Sequence, residues 1–200
     1  MAVNADNVLG FGSDDDSLFL GPYDPTLATK IQGLTTQIPA ALKDCGWLSD
    51  DGIKLTMDDS VTKIKGHQGH GVVRTFMDSS ETGLEAVLLE SQLDIVTRFL
   101  NAAAEKIQEQ IGAGPQKTDV AKITAKAQRT VTVLSGVLDV FDTASTGDNR
   151  ARMRLVFPRL ELGERGEVPF KVGELTAWSH KLSVLGDYII YSNAKSLIPA

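Results

Sequence analysis

Two of the three histidines lie in one short glycine-containing stretch, "IKGHQGHGVVRTF", at residues 64–76. A zinc site needs about four converging His, Cys or acidic ligands, and His67 and His70 supply only two. The third histidine, His180, belongs to a separate strand-like segment, and Cys45 is the single cysteine. We therefore expect the two histidines to lie in an exposed turn between strands, and we predict no bound metal.

Two glycine-rich stretches differ from phosphate-binding loops. Gly66, Gly69 and Gly71 do not have the spacing of a dinucleotide-binding fingerprint, and no βαβ pattern surrounds them. In "GAGPQKT", residues 112–118, Gln116 stands where a phosphate loop has the glycine before its lysine. We predict no cofactor-binding residue and no cofactor.

Two acidic runs, "DDDS" at 14–17 and "MDDS" at 57–60, could hold a hard cation. Neither has the spacing of a calcium loop, and Asp side chains are common where they bond turn backbone. The sequence also contains no nucleophile elbow, zinc-protease helix motif or paired catalytic carboxylates. We therefore predict no catalytic residue and no enzyme; a small metal-dependent hydrolase, using the two histidines with Asp58 or Asp59, is a remaining alternative.

The composition is that of a folded protein that does not grip nucleic acid. Of the 200 residues, 42% are apolar and 23% are charged, and the formal net charge is −6. Binding a nucleic-acid backbone needs clustered Lys and Arg, so this charge argues against a DNA-recognition surface. A single cysteine excludes an intramolecular disulfide, and its apolar neighbours suggest that it is buried. The apolar stretches are too short for a membrane span and the start resembles no signal peptide, so we expect synthesis in a reducing cytoplasm.

The first forty residues alternate short apolar pieces with chain breakers. Pro22, Pro25 and Pro39 fix φ locally and remove backbone donors. We therefore predict an extended N-terminal arm over residues 1–40, with short strand pieces, that needs a surface to lie on.

Three strand-like runs follow the arm. In residues 53–58 apolar side chains alternate with polar ones after an Asp-Asp-Gly turn, which predicts a half-buried strand. The run "VVRTFMD" at 72–78 is a second alternating run, and "GLEAVLLE" at 83–90 is apolar on both faces except at Glu85. We expect three successive strands in an antiparallel meander.

One helix is predicted, over about residues 91–111. Ser91 is the expected N-cap, with Asp94 in a capping-box-like position, and Gly112, Gly114 and Pro115 are expected to end the helix. The apolar residues at helical spacing are Leu93, Val96, Phe99, Leu100, Ala103, Ile107 and Ile111. Residues 112–128 are polar, and we expect a loop, an insertion or a weak strand there.

The rest of the chain is rich in β-branched and aromatic residues. The candidate strands are "RTVTVLSGVLDVFD", "RARMRLVFPRLEL", "GEVPFKV", "LTAWSHKLSVL" and "DYIIYS". Strands, one helix and more strands predict a mostly β (α+β) fold: an antiparallel β-sandwich or barrel with one flanking helix and extended arms.

Residues 41–100 and 150–185 together resemble the major tail proteins, or tail tube proteins, of long-tailed non-contractile bacteriophages. In the first segment the resemblance consists of Gly46, Trp47, Ser49 and Asp51-Gly52 ahead of a strand, "IK" and a glycine-containing tip before "VVRT", and "LLE" leading into a helix. The second segment adds a "VFP" strand, a turn with "GE" and an alternating last strand. The prolonged helical pattern after "LLE" departs from the family.

The resemblance implies a single tail-tube β-sandwich domain over residues 41–200 and a structural role in the virion. Such subunits close into hexameric rings that stack around a tape-measure protein into the channel for DNA delivery. The implied partners are other copies of the chain, the tape-measure protein, and the tail terminator and distal tail proteins. Genomic DNA would pass through without sequence-specific binding, no membrane insertion is expected, and an acidic lumen would repel its phosphates.

Two further functions are alternatives. A tail terminator or head-tail connector also forms rings, but its rings do not extend into tubes. A ligand-binding β-sandwich would group exposed aromatic side chains on one loop face, whereas Trp47 and Trp178 lie in apolar contexts that suggest core positions.

Overall fold

The computed structural model describes residues 7–112, 114–147 and 150–199. Almost all of its regular structure is antiparallel β-strand, and the prediction of a mostly β fold is confirmed. The strands are β1 (Ser17–Pro22), β2 (Lys43–Asp44), β3 (Leu48–Lys65), β4 (Val72–Leu88), β5 (Ala102–Glu109), β6 (Thr118–Ala125), β7 (Thr132–Phe141), β8 (Arg152–Arg165), β9 (Trp178–Val184) and β10 (Ile189–Ser192). The helices are α1 (Leu27–Lys30) and α2 (Leu93–Leu100), and a 3₁₀ turn spans Lys195–Leu197.

Eight strands form one sheet, in the order β2-β1-β7-β8-β9-β4-β3, and β10 also pairs with β8. One edge of β8 follows β7, while its other edge is shared between β10, along Met153–Val156, and β9, along Leu160–Arg165. The β7–β8 register shifts opposite Pro158, which has no N–H to donate to the ladder. The Ser135 hydroxyl donates a 2.6 Å hydrogen bond to the Pro158 carbonyl at this irregularity.

Successive apolar residues of β1 pack alternately into two separate cores. Leu18 and Leu20 belong to the larger cluster, which Ile95 and Phe99 of α2 also enter. Phe19, between them in the chain, packs against a smaller cluster on the other face. The smaller cluster comprises Leu27, Ile31, Leu42, Val137 and Val156. This alternation is what a strand with apolar cover on both faces requires.

The N-terminal segment is part of the sheet. β1 pairs with β7 over six residues, and Leu27 and Ile31 are fully buried. The predicted short strand piece is present as β1, but residues 17–31 are packed into the body and do not form an unpacked arm, because β1 pairs with β7 and supplies core side chains. Residues 1–6 of that predicted arm lie outside the described residues.

A buried ion pair holds the loop after α1, which contains Gly33 and Thr36, against the sheet. The Arg154 guanidinium contacts both carboxylate oxygens of Asp139, each at 2.6 Å. It also donates to the carbonyl of Thr36 at 2.6 Å and to that of Gly33 at 3.3 Å. One side chain thus ties β7, β8 and the loop together.

The predicted helix over residues 91–111 is only partly present. Helix α2 ends at Leu100, because Asn101 has a left-handed backbone with φ of 52°. Gln92 is the N-cap, and Ser91 instead accepts a 3.1 Å hydrogen bond from the Trp178 indole, so the capping prediction is wrong. The chain then forms a hairpin of β5 and β6, a separate two-stranded sheet.

Of the alternatives expected for residues 112–128, the strand is the one present. Residues 118–125 form β6, which pairs with β5 over eight positions. Gly112, Gly114 and Pro115 lie in the connection of this hairpin and do not end a helix. Ala113 lies outside the described residues.

The predicted three-strand meander is a single long hairpin. The second and third runs are both part of β4, which pairs with β3 from Leu48–Leu88 out to Lys65–Val72. The expected Asp-Asp-Gly turn is an irregularity inside β3, where Gly52 has φ of 69°. Neither helix in the described ranges is long and apolar enough to cross a membrane.

Candidate assembly surface

The two neighbouring histidines lie at the tip of the β3–β4 hairpin, as predicted. The turn spans residues 66–71 and is closed by a 2.9 Å hydrogen bond from the Gly66 N–H to the Gly71 carbonyl. Gly69 and His70 have positive φ, 79° and 53°, and both histidine side chains are exposed. The part of the chain that the structure describes contains no group of three or more His, Cys, Asp or Glu that could hold a metal.

The third histidine is a packing residue of the body. His180 is fully buried in β9, opposite Ala86 of β4, with its ring centroid 5.5 Å from that of Phe99. Its Nδ1 lies 3.0 Å from the Trp178 carbonyl, which accepts a hydrogen bond from the neutral ring. Burial lowers the His180 pKa to about 4. The structure therefore does not join His180 to the tip histidines.

The acidic runs differ from each other. Asp16 accepts hydrogen bonds from the N–H groups of Ser13 and Phe141, at 3.2 and 2.8 Å, so the first run has the predicted turn chemistry. The second run is not a turn, since Asp58 and Asp59 lie inside β3. Asp59 accepts a 2.6 Å hydrogen bond from the Ser80 hydroxyl across the hairpin.

Cys45 is buried, as predicted. Burial raises the pKa of its thiol to about 11. A thiol in this state is a poor nucleophile at neutral pH, and it packs within the larger core.

Half of the β3–β4 hairpin projects beyond the sheet, and we call residues 57–82 the ribbon. Pairing between β4 and β9 ends at Thr82–Val184, so the ribbon has only its own two strands beyond this point. At about 3.3 Å per residue, the β3 side of the ribbon extends roughly 25–30 Å to the tip turn. Two-stranded hairpins are marginally stable in water, so this ribbon is suited to packing against another surface.

Apolar side chains are exposed along the ribbon on both faces. Val61 is in register with Met77 on one face, and Phe76 is in register with Thr62 on the other. The exposed fractions are 65% for Met57, 42% for Val61, 48% for Ile64, 51% for Val72, 71% for Val73, 42% for Phe76 and 60% for Met77. Exposed apolar surface concentrated in one projecting element is typical of an interaction site.

The β5–β6 hairpin is a second projecting element with a more polar surface. Cross-strand ion pairs join Lys122 to Glu105, at 2.6 Å, and Lys106 to Asp119. Ile107 and Val120 are in register and half-buried. These two ion pairs neutralise four of the charges of β5 and β6, whereas no ion pair lies within the ribbon among the described residues.

A third exposed apolar segment connects β8 to β9. Residues 166–177 were expected to contain the strand "GEVPFKV", but they form no strand. Phe170 is 85% exposed, and Val172 and Leu175 are also exposed. The sequence contains one indication against a strand here. Pro169 has no N–H to donate, which disfavours a central strand.

Trp47 contradicts the prediction that both tryptophans are core residues. Trp178 is buried and stacks edge-on against Phe99, with ring centroids 5.3 Å apart. Trp47 is 76% exposed, although its backbone is held by hydrogen bonds to Glu90 and Leu89.

A groove of about 650 Å³ lies between α2, β1, β7 and the base of the β5–β6 hairpin. Lys43, Arg98 and Lys126 line it with Asp94. None of the described residues around it is aromatic, so it lacks the stacking surface expected of a carbohydrate site. Exposed aromatic and aliphatic side chains occur instead along the ribbon, in the β8–β9 connection and at other surface positions such as Trp47 and Tyr23. No protein-family model matches the chain, and no curated protein matches it.

Proposed function

We propose that the chain is a structural virion protein that polymerises into the tail tube of a long-tailed bacteriophage. The observation that carries the proposal is the ribbon, a two-stranded element that leaves the body and exposes apolar side chains along its length. Such an element gains most when it is covered by other copies of the same protein.

The resemblance in sequence supports the same role. Its quoted features map onto this hairpin: "IK" ends β3, the glycine-containing tip forms the turn, and "VVRT" begins β4. The "VFP" strand is β8, in the centre of the sheet. The finer fold, a tail-tube β-sandwich that closes into hexameric rings, belongs to this proposal.

The proposed location is the virion tail, after synthesis in the host cytoplasm. The proposed partners are further copies of the chain, the tape-measure protein inside the tube, and the tail terminator and distal tail proteins at its ends. DNA would pass through the lumen, and the net charge of −6 suits a wall that does not hold phosphates.

Negative-stain electron microscopy of the purified chain, over a range of protein and salt concentrations, tests the proposal. We expect stacked rings or hollow tubes at high protein concentration. Rings that never stack would instead favour a tail terminator or head-tail connector. A chain that is monomeric in every condition contradicts the proposal.

A further inference from the structure

The charges of the ribbon are divided into two groups. The cations lie toward the tip and the carboxylates lie nearer the body of the protein. The tip group is Lys63, Lys65 and Arg74, and the base group is Asp58, Asp59, Asp78 and Glu81. The ribbon therefore has a positively charged tip and a negatively charged base, so its two ends differ in the partner charge that they attract.

No ion pair within the described ranges neutralises these charges. Among the described residues, neither group takes part in a salt bridge; along β4 the ion pair is Lys181 with Glu85, at 3.9 Å, below the ribbon. Asp58 lies directly opposite Glu81, and like charges in such a cross-strand pair are destabilising. The isolated subunit therefore carries an electrostatic cost that cations from elsewhere would relieve.

The hydrogen bonds of the base group leave its charge in place. The Thr62 hydroxyl donates to Asp78 at 2.7 Å, and the Ser80 hydroxyl donates to Asp59. Hydroxyl donors orient a carboxylate but do not neutralise it. In the tip group, the Arg74 guanidinium lies 4.9 Å from the centroid of the Phe76 ring, which fixes its position along the ribbon.

The spacing of the two groups sets a geometry for docking. The centres of the groups are about five residues apart along β3, which at about 3.3 Å per residue is roughly 17 Å. Val61 and Met77 lie between the groups, as a cross-strand pair on one face. A second ribbon laid alongside and shifted by this distance would bring opposite charges together and cover that apolar pair.

We propose that the ribbon docks lengthwise on the ribbon of a second copy, with the tip group of one copy against the base group of the next. This inference rests on the proposed function, because it assumes that the chain assembles with itself. Each copy uses one group on each side, so the contact is heterologous and repeats without closing on a pair. The charge pattern thus supplies the direction in which subunits add.

Two charge-reversed variants test this docking. The tip-reversed variant carries Lys63→Glu, Lys65→Glu and Arg74→Glu, and the base-reversed variant carries Asp58→Lys, Asp59→Lys and Glu81→Lys. In each variant the two ribbon groups have the same net sign, although Asp78 stays acidic in the base-reversed variant. Each alone should therefore need a protein concentration higher by on the order of tenfold or more to assemble. Mixed in equal amounts, the two variants should co-assemble, because the negative groups of one variant can contact the positive groups of the other.

The control changes three exposed lysines outside the ribbon, Lys117→Glu, Lys126→Glu and Lys195→Glu. It alters net charge as much as the tip-reversed variant does and should assemble close to the wild-type concentration. Circular dichroism and thermal unfolding verify that each variant is folded, and sedimentation velocity follows assembly. Assembly of the wild type should also weaken as salt rises from about 0.05 to 0.5 M, a measurement that needs no variant.

The outcomes separate this inference from the proposed function. If the wild type assembles and the tip-reversed variant does so at the same concentration, ribbon-to-ribbon docking is wrong while the tail-tube proposal stands. Failure of two folded, mixed variants to co-assemble also contradicts the docking. A wild type that never assembles contradicts both proposals.

Discussion

At the scale of single residues, burial separates two arginines of the same strand. Arg154 is 6% exposed and has three of its nitrogens engaged, by Asp139 and by two loop carbonyls. Arg159 forms an ion pair with Glu161 at 2.6 Å, but its side chain is 48% exposed. Solvent weakens the exposed pair, whereas loss of one partner from the buried pair leaves a charge without compensation.

Replacing Arg154 by methionine should lower the free energy of unfolding by about 3–5 kcal/mol, because the Asp139 carboxylate would remain in a largely buried position. Urea denaturation of the wild type and the variant measures the difference. The matched control, Arg159→Met, should change it by less than about 1 kcal/mol. Equal effects of the two substitutions would show that the buried pair does not anchor the loop.

His180 should make the folded state sensitive to acid. Its pKa falls from 6.5 to about 4 on folding, so the unfolded chain binds the proton first as the pH drops. The stabilisation is complete above pH 6.5 and is lost as the pH falls toward about 4, and the total loss is about 3 kcal/mol. Between pH 7 and pH 4, the free energy of unfolding of His180→Phe should therefore fall less than that of the wild type.

Measuring unfolding free energies by denaturant titration at several pH values tests this sign. The control variant, His67→Gln with His70→Gln, should follow the wild-type profile, because both side chains are exposed in the tip turn. Parallel profiles for His180→Phe and the wild type would contradict a buried neutral imidazole.

At the scale of elements, periodicity predicted strands well where one face meets the core. The alternation around Leu55 and Leu84 continues directly into the larger core. The joining of two predicted strands into β4 could not be predicted, because the polar run Ser79–Thr82 resembles a turn. The projecting position of the ribbon was equally hidden, since alternation alone does not say where the neighbouring strand ends.

The region after Leu100 shows why local pattern can mislead. Ala103, Ile107 and Ile111 have helical spacing, and alanine favours helix. The left-handed Asn101 stops the helix, and pairing with β6 places Ile107 beside Val120 instead. Pairing between distant segments thus overrode local propensity. The exposure of Trp47 was also not predicted, because its apolar neighbours suggested a core position.

Removing the outer ribbon should separate folding from assembly. In the variant, residues 61–78 are deleted and Ser60 is joined to Ser79 through an Asn-Gly turn. Because the deleted side chains are exposed, we expect the free energy of unfolding to change by less than about 1 kcal/mol. Sedimentation velocity should then show a monomer at concentrations where the wild type assembles, and normal assembly of the shortened chain would exclude the ribbon as the contact.

At the scale of the whole molecule, the structure combines a well-covered sheet with elements that have little cover. The body buries strands on both faces, while the ribbon, the β5–β6 hairpin and the β8–β9 connection point outward. Composition and a net charge of −6 predicted a folded chain that avoids nucleic acid as a ligand, but they carry no information on which surfaces are outward. Which surfaces are covered and which point outward depends on how the strands pair along the chain.

The pairing of β1 with β7 also affects how the chain folds during synthesis. Asp24 and Ser135, hydrogen-bonded beside these strands, are 111 positions apart. A ribosome adding about 5–20 residues per second needs roughly 6–22 s to cover that distance. The apolar β1 strand must wait for its partner during this time, and sheets built from such distant pairings fold slowly. The β1 strand of the nascent chain therefore stays without its β7 partner until those residues have been synthesised.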